Sequence, residues 1–145
     1  MKILVTGNLG YVGPVLLHHL RKVFPRATLV GYDTGFFAQC LTNARDIPER
    51  VADLQHWGDI RDIDATILEG MDAIVQLSAV SNDPMGNRFE VVTDAINHEA
   101  TENLAVLAKR AGVKRFVFAS SCSMYGFAEG GPRKETGRES PIPAA

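Results

Sequence analysis

The chain has 145 residues, 15 lysines and arginines against 17 aspartates and glutamates, and a formal net charge of −2. This length predicts one domain that can bury a core without disulfides or metals. With 46% apolar and 22% charged residues, the composition argues against an intrinsically disordered chain. No apolar run approaches the roughly 20 residues that span a bilayer. No cluster of basic residues favours a nucleic-acid partner, so we expect neither a membrane nor a nucleic acid as partner.

The N-terminus and the cysteines indicate the cytoplasm. The first apolar run ends at Gly7 and is too short for a signal peptide. Cys40 and Cys122 lie far apart and have no metal-binding or redox spacing. A disulfide between them is conceivable, but free buried thiols in a reducing compartment are the preferred interpretation. No histidine lies at metal-ligand spacing from another ligand type, so we predict no metal site.

Short apolar runs alternate with helical patterns along the chain. Five runs bounded by glycine or polar residues predict strands, namely residues 2–6, 27–33, 55–57, 73–79 and 115–120. Three segments with apolar residues at helical spacing predict helices, namely residues 11–24, 63–69 and 90–111. Asp62 is expected to cap the second helix, with Gly70 as its end, and Gly112 to end the third. This alternation predicts an α/β fold, a doubly wound parallel sheet with helices on both faces.

The remaining segments predict loops. They are residues 34–47, 81–88 and 126–145, which are rich in glycine, proline, polar or charged residues. The first of them contains Phe36 and Phe37 and has no clean period, so a short helix within it is the alternative. It would either pack on the core, which we favour, or cover a bound cofactor.

A glycine motif lies between the first predicted strand and the first predicted helix. Gly7, Gly10 and Gly13 have the spacing G-x-x-G-x-x-G. A dinucleotide diphosphate needs a tight turn, a close backbone approach and a helix N-terminus with N–H donors, and this placement provides all three. Glycines that merely end a strand are the alternative, but their position between a strand and an amphipathic helix favours dinucleotide binding.

Acidic residues follow the second and third strands. Asp33 lies 20 residues beyond the last glycine, where a carboxylate commonly binds the ribose hydroxyls of NAD and repels the 2′-phosphate of NADP. After the third strand, Asp59 could accept a hydrogen bond from the adenine amino group while Ile60 packs on the ring. Turn capping is the alternative role for both carboxylates, and for Asp59 the two roles are evenly balanced on spacing alone.

A run of hydroxyl side chains follows the fifth predicted strand. Ser120, Ser121 and Ser123 could hold a substrate hydroxyl or carbonyl by hydrogen bonds. No histidine is placed to activate a serine, and G-x-S-x-G is absent, so a serine hydrolase is excluded. Taken alone, small polar residues that end a buried strand would be the simpler interpretation.

Together these motifs resemble the extended short-chain dehydrogenase/reductase family, in its nucleotide-sugar epimerase/dehydratase branch. The resemblance is carried by residues 6–13, 31–33, 58–62, 77–79, 97, 111–117 and 120–126. It implies a Rossmann-like domain, tightly held NAD and a nucleotide-sugar substrate that is oxidised by hydride transfer to the nicotinamide. The alternative is a stand-alone dinucleotide-binding module or redox sensor without catalysis.

The resemblance also implies roles for individual residues. The expected cofactor-binding residues are Gly7, Asn8, Leu9, Gly10, Tyr11, Val12, Gly13, Asp33, Asp59, Ile60, Leu77, Ser78, Ala79 and Asn97. Within this set, Asn97 would support the active-site end of the sheet. Ser121 corresponds to the catalytic Ser/Thr, and Ser81, Asn82 and Ser123 would lie near the substrate. Ser123 stands where dehydratases carry Glu, which argues mildly against a dehydratase.

The sequence departs from the family pattern in one respect. The family's general base is the tyrosine of a Tyr-x-x-x-Lys motif, whose lysine lowers the tyrosine pKa. Glu129, not lysine, stands four residues after Tyr125. The resemblance implies that the motif, the last strands and the sugar-binding lobe lie beyond residue 145. Residues 1–145 would then be an incomplete NAD-binding domain truncated after the fifth strand, inactive alone, with a possible homodimer contact through residues 97–110. Self-association through the open edge of the fifth strand is a weaker alternative.

Overall fold

Five parallel strands form one sheet in the computed structural model, which describes residues 1–37, 50–81 and 88–121. They are β1 (Lys2–Thr6), β2 (Thr28–Asp33), β3 (Leu54–Trp57), β4 (Ala73–Gln76) and β5 (Arg115–Phe118). Their spatial order is β3-β2-β1-β4-β5, and every neighbouring pair runs parallel. The chain therefore builds the sheet outwards from β1, first to one side and then to the other.

Within the described part of the chain, two helical segments cover the sheet. Helix α1 spans Gly13–Val23, with a proline in its first turn and basic residues in its last. The second segment is one continuous stretch composed of α2 (Glu90–Asp94), a π turn (Ala95–Glu99) and α3 (Ala100–Arg110). Gly112 follows it with a φ of 76°, a left-handed conformation that glycine adopts at helix ends.

The core lies in two layers because alternate residues of a strand point to opposite faces of the sheet. On the face of α1 the buried residues are Ile3, Val5, Leu17, Ala27 and Leu29. On the face of α3 they include Leu4, Val30, Ile74, Leu104 and Ala108. Both faces are covered, which explains why the strands are almost wholly apolar and confirms the predicted doubly wound fold.

The predicted helix over residues 63–69 is wrong. The 3₁₀ turn Ala65–Leu68 stands in its place, and a first 3₁₀ turn, Ile60–Asp62, precedes it, with residues 63 and 64 between the two turns. Asp64, not Asp62, caps the second turn: its carboxylate accepts hydrogen bonds from the backbone N–H and the hydroxyl of Thr66, both at 2.8 Å. Between the cap Asp64 and Gly70, which has a φ of 69°, only five residues remain, and helical pieces this short commonly adopt 3₁₀ geometry.

Other boundaries differ from the predictions by a few residues. α1 begins two residues later than predicted, β4 ends three residues earlier and β5 two residues earlier. Residues 77–79, predicted to belong to β4, form a loop after the strand. The predicted loops over residues 38–47, 82–87 and 126–145 lie outside the described residues, as do Cys40 and Cys122. Among the described residues, no helix is long and apolar enough to cross a bilayer.

Candidate functional site

The strand order reverses at β1: β2 and β3 lie on one side of it, and β4 and β5 lie on the other. The loops that follow β1 and β4 meet at this reversal point. Gly7 follows β1 with a φ of 68°, and its N–H donates to the carbonyl of Tyr32 at 2.9 Å. A Cβ added to Gly7 would lie 2.7 Å from the backbone nitrogen of Ser78, in the loop after β4. The two loops therefore touch backbone to backbone. In open α/β sheets, this reversal point is where ligands bind.

The glycine turn leads directly into α1. The Gly10 N–H donates to the Gly7 carbonyl at 3.1 Å, which closes the turn. A Cβ at Gly13 would overlap the backbone of Asn8, so glycine lets the helix start against the loop. Val12 gives no side-chain cap, and the first turn of α1 has no acidic residue. The N-terminal N–H groups and the positive end of the helix dipole thus suit an anion.

Two residues of the predicted motif turn inwards. The side chains of Asn8 and Leu9 are buried, and the Asn8 amide donates to the Gln55 side chain at 2.8 Å. A side chain at Gly31 would collide with this amide pair, so the pair needs glycine in β2. Asn8 and Leu9 can therefore offer a ligand their backbone, whereas Tyr11 is 85% exposed. The sequence reasoning missed Gln55, because its link to Asn8 spans 47 residues.

Asp33 connects the glycine turn to the end of β2. One carboxylate oxygen accepts the Leu9 N–H at 3.0 Å and the other accepts the Gly35 N–H at 2.8 Å. An ionised carboxylate has about four acceptor positions, so both oxygens keep capacity for further donors. The predicted ribose-binding residue therefore lies beside the predicted diphosphate-binding turn, in the cleft described below.

Asp59, which follows β3, is bound through both its backbone carbonyl and its side-chain carboxylate. The Tyr32 hydroxyl donates to its backbone carbonyl at 2.9 Å, and the Arg61 guanidinium donates to both carboxylate oxygens at 2.9 and 2.6 Å. The Arg61 hydrogen bonds lower the pKa of the Asp59 carboxyl below its usual value. Burial, and then the negative charge of Asp59, raises the pKa of Tyr32. Asp59 also caps the first 3₁₀ turn, so the capping role and a place in the cleft coexist.

A buried amide supports the loop after β4. Gln76, at the end of β4, is 1% exposed. Its side-chain oxygen accepts hydrogen bonds from the Thr6 hydroxyl and from the Ser78 N–H, the latter at 3.2 Å. Its nitrogen donates to the Ser78 carbonyl at 3.2 Å and to the Thr101 hydroxyl at 2.9 Å. One side chain thus joins β1, the loop after β4 and α3.

Asn97 supports the same loop two residues further on. Its side-chain oxygen accepts the Val80 N–H at 2.8 Å and its nitrogen donates to the Val80 carbonyl at 2.9 Å. Asn97 lies in the π turn Ala95–Glu99, and π turns inside helices are frequent at functional sites. Asn97 thus holds the loop after β4 by two hydrogen bonds, and its role at the active-site end of the sheet stays a prediction.

These elements enclose a cleft of about 310 Å³ at the carboxyl edge of the sheet, within the range of small-molecule sites. Its lining comes from loops after β1, β2, β3 and β4 and from the second helical segment: Gly7, Gly10, Asp33, Thr34, Phe36, Phe37, Gly58, Asp59, Ile60, Arg61, Leu77, Ser78, Ala79, Val80, Val92 and Ile96. Ser81 and Ser121 are described but lie outside this lining. Asn82 and Ser123 lie outside the described residues.

The profile of the NAD-dependent epimerase/dehydratase family matches residues 3–145. The chain belongs to this family. The family match confirms the predicted resemblance and the prediction of NAD as cofactor. The roles predicted for individual site residues remain predictions.

Relatives of this epimerase/dehydratase chain differ in the substrates that their names give. It is 31% identical over 137 residues, 90% of the chain, to the uncharacterized UDP-glucose epimerase YtcB of Bacillus subtilis. Over 130 residues, 85% of the chain, it is also 31% identical to a 3β-hydroxysteroid dehydrogenase/Δ5→4-isomerase of Mycobacterium tuberculosis. The structure matches a variant of UDP-glucuronic acid 4-epimerase from Bacillus cereus, solved with a substrate analogue and NAD, with a TM-score of 0.83, 26% identity and 97% of the chain covered.

The chain spans less than half the length of these proteins. It covers 43% of the Bacillus subtilis relative, 32% of the Mycobacterium tuberculosis relative and 46% of the Bacillus cereus structure. The match thus concerns the part of those proteins that corresponds to the sheet and cleft described above.

Proposed function

We propose that this chain is the cofactor-binding part of an NAD-dependent oxidoreductase that acts on a nucleotide sugar, in the cytoplasm. The observation that carries the proposal is the backbone contact between Gly7 and Ser78, which opens onto the cleft at the reversal point of the sheet. A side chain at Gly7 would push the two loops apart, so glycine keeps the turn after β1 and the loop after β4 together, where one dinucleotide can contact both.

The adenosine half of NAD fits the part of the cleft formed by β1, β2 and β3. The diphosphate would lie on the turn from Gly7 to Gly13, at the N-terminus of α1. Asp33 would accept hydrogen bonds from the ribose hydroxyls. The adenine would pack on Ile60, with its amino group directed to Asp59. The negative charge of Asp33 would disfavour the 2′-phosphate of NADP.

The nicotinamide half fits the part of the cleft formed by the loop after β4. Leu77, Ser78 and Ala79 line this part, and the loop is held by the buried amide of Gln76 and the partly buried amide of Asn97. When bound, NAD supplies an acceptor for the hydride that leaves the substrate. The residues of this chain orient the nicotinamide.

The substrate would lie beyond the nicotinamide. Ser121 would hydrogen-bond the reacting oxygen of the sugar, since it follows β5, the neighbour of β4, at the same edge of the sheet. Ser81, Asn82 and Ser123 would contact the substrate. None of the three tyrosines in the sequence has lysine four residues later. We therefore expect residues 1–145 to bind NAD without turning over substrate, because removal of a general base commonly costs about 10²–10⁴ in rate.

Binding of NAD and NADP to the 145-residue chain, measured by titration calorimetry, tests the cofactor assignment. We expect NAD to bind at least roughly tenfold more tightly than NADP, since like charges in contact cost several kcal/mol. Asp33→Ala should reduce this preference. Asp64→Ala, which removes an exposed carboxylate from the second 3₁₀ turn, should leave it unchanged. Absence of NAD binding at millimolar concentration would refute the proposal.

The substrate class is tested on the protein purified from its native source. Its intact mass shows whether the native chain is longer than 15.8 kDa. Conversion of UDP-glucose and of a 3β-hydroxysteroid, the two substrate classes that the relatives' names suggest, is then compared by chromatography of the products, because an epimerase or dehydratase returns the hydride to its product and forms no net NADH. Turnover of the nucleotide sugar supports the proposal, and turnover of the steroid alone contradicts it. A native mass of 15.8 kDa with NAD binding but no turnover would favour a non-catalytic dinucleotide-binding module.

A further inference from the structure

The guanidinium of Arg61 forms a two-pronged contact with Asp59 inside the cleft. Both residues line the cleft, and their side chains are partly exposed, at 42% for Arg61 and 27% for Asp59. The planar guanidinium places two parallel N–H groups on the two carboxylate oxygens, the geometry in which arginine and carboxylate pair most strongly. An ion pair this exposed adds little to fold stability, because water screens it and the side chains lose freedom.

The hydrogen bonds distinguish the two oxygens of Asp59. Oδ1 accepts from the Arg61 backbone N–H at 3.0 Å and from Arg61 Nε at 2.9 Å. Oδ2 accepts from Arg61 Nη2 at 2.6 Å. A carboxylate oxygen has about two acceptor positions, so Oδ1 is fully occupied by Arg61 whereas Oδ2 keeps one position. Arg61 therefore determines both the orientation of the carboxylate and the oxygen that is available to a ligand.

We propose that Arg61 is a positioning residue for adenine recognition: it fixes the Asp59 carboxylate so that Oδ2 receives the adenine amino group. The inference rests on the proposed function, because it requires NAD in the cleft. The backbone of Asp59 is held independently by the Tyr32 hydroxyl at 2.9 Å. Loss of the Arg61 side chain would consequently leave the carboxylate held by the backbone N–H of residue 61 alone, while the backbone of Asp59 stays in place.

The test compares NAD with nicotinamide hypoxanthine dinucleotide, which carries a carbonyl oxygen in place of the adenine amino group. Dissociation constants for both are measured by calorimetry on the unaltered chain and on Arg61→Gln, Asp59→Ala and the double variant. Arg26→Gln serves as the matched control, since Arg26 is exposed and lies outside the cleft lining. Circular dichroism and urea unfolding establish that each variant is folded.

We expect the unaltered chain and Arg26→Gln to prefer NAD by roughly tenfold, the range of one hydrogen bond to a charged group. Arg61→Gln should reduce this preference to about threefold or less, and Asp59→Ala should remove it. In the double variant the loss of Arg61 should change nothing further, because its effect passes through Asp59.

Two results would contradict the role of Arg61 while leaving the proposed function intact. One is Arg61→Gln weakening both dinucleotides equally, which is the behaviour of a merely structural residue. The other is Arg61→Gln still changing the preference when Asp59 is already absent, which would mean that Arg61 acts on adenine directly. If the unaltered chain bound neither dinucleotide, the proposed function itself would fail, and the inference with it.

Discussion

Replacing Gly7 with alanine tests whether close contact between two loops, rather than backbone freedom alone, requires glycine at this position. Gly7 has a φ of 68°, and its added Cβ would lie 2.7 Å from Ser78 N and 2.8 Å from Leu77 C. Gly70 provides the matched control: its φ is 69°, and a Cβ there would meet nothing within 4 Å. Gly70→Ala therefore has the same backbone cost without the collision.

The left-handed conformation costs a non-glycine residue about 1–2 kcal/mol. Overpacking against atoms that cannot move easily adds about 1–3 kcal/mol. We therefore expect the free energy of unfolding to fall by about 1–2 kcal/mol in Gly70→Ala and by about 2–5 kcal/mol in Gly7→Ala. The effect of alanine on the unfolded chain is the same in both variants and cancels in the comparison.

Urea unfolding measures both losses, and calorimetry measures NAD affinity. Because the collision pushes apart two loops that line the cleft, Gly7→Ala should weaken NAD binding more than about tenfold, while Gly70→Ala should leave it unchanged. Equal destabilisation by the two substitutions, or unaltered NAD affinity in Gly7→Ala, would show that the loop contact is not what requires glycine.

Three further outcomes are expected. Gln76→Leu should lower the free energy of unfolding, measured in urea, by about 2–4 kcal/mol, because it leaves its buried hydrogen-bond partners unsatisfied. Adding Thr6→Val should recover part of this loss. No recovery would contradict the hydrogen bond between Thr6 and Gln76. Asn97→Ala should weaken NAD binding more than it destabilises the fold, since Asn97 holds the loop after β4; an unchanged dissociation constant would contradict this role. The Arg21 hydrogen bond lowers the pKa of the Asp53 carboxyl in the folded chain. The Arg21–Asp53 pair therefore stabilises the fold at pH values above the ordinary aspartate pKa, and this stabilisation is lost as the pH falls through the lowered pKa of Asp53. Urea unfolding across acidic pH should show this loss, and Asp53→Asn should show a flatter profile.

The sheet could be predicted because its signals are local. β1, β2, β4 and β5 are largely apolar, and β1 and β3 end directly before a glycine, at Gly7 and Gly58. The helix over residues 63–69 could not be predicted correctly, because apolar spacing over so short a segment does not distinguish an α-helix from a 3₁₀ turn.

The cleft could be predicted in outline but not its supports. The glycines and acidic residues lie at strand ends, and parallel strands bring those ends to one edge. Gln55 and Gln76, by contrast, look like ordinary polar residues in short strands. Their partners Asn8 and Thr6 are 47 and 70 residues away in sequence, so the pairs become visible only in three dimensions.

The π turn at Ala95–Glu99 has a consequence for how this helix tolerates change. In a straight α-helix, residues four apart drift about 40° around the axis. Five apolar residues of this segment are spaced four apart, namely Val92, Ile96, Ala100, Leu104 and Ala108. The first two line the cleft, and the last three lie in the core. Because a π turn contains more residues per turn than an α-helix, it cancels the rotation that accumulates over one four-residue interval. Because a π turn holds one residue more than an α-helical turn, deleting one residue there restores α-helical geometry, whereas deleting one residue from α3 would rotate the rest of that helix by about 100° relative to Val92 and Ile96.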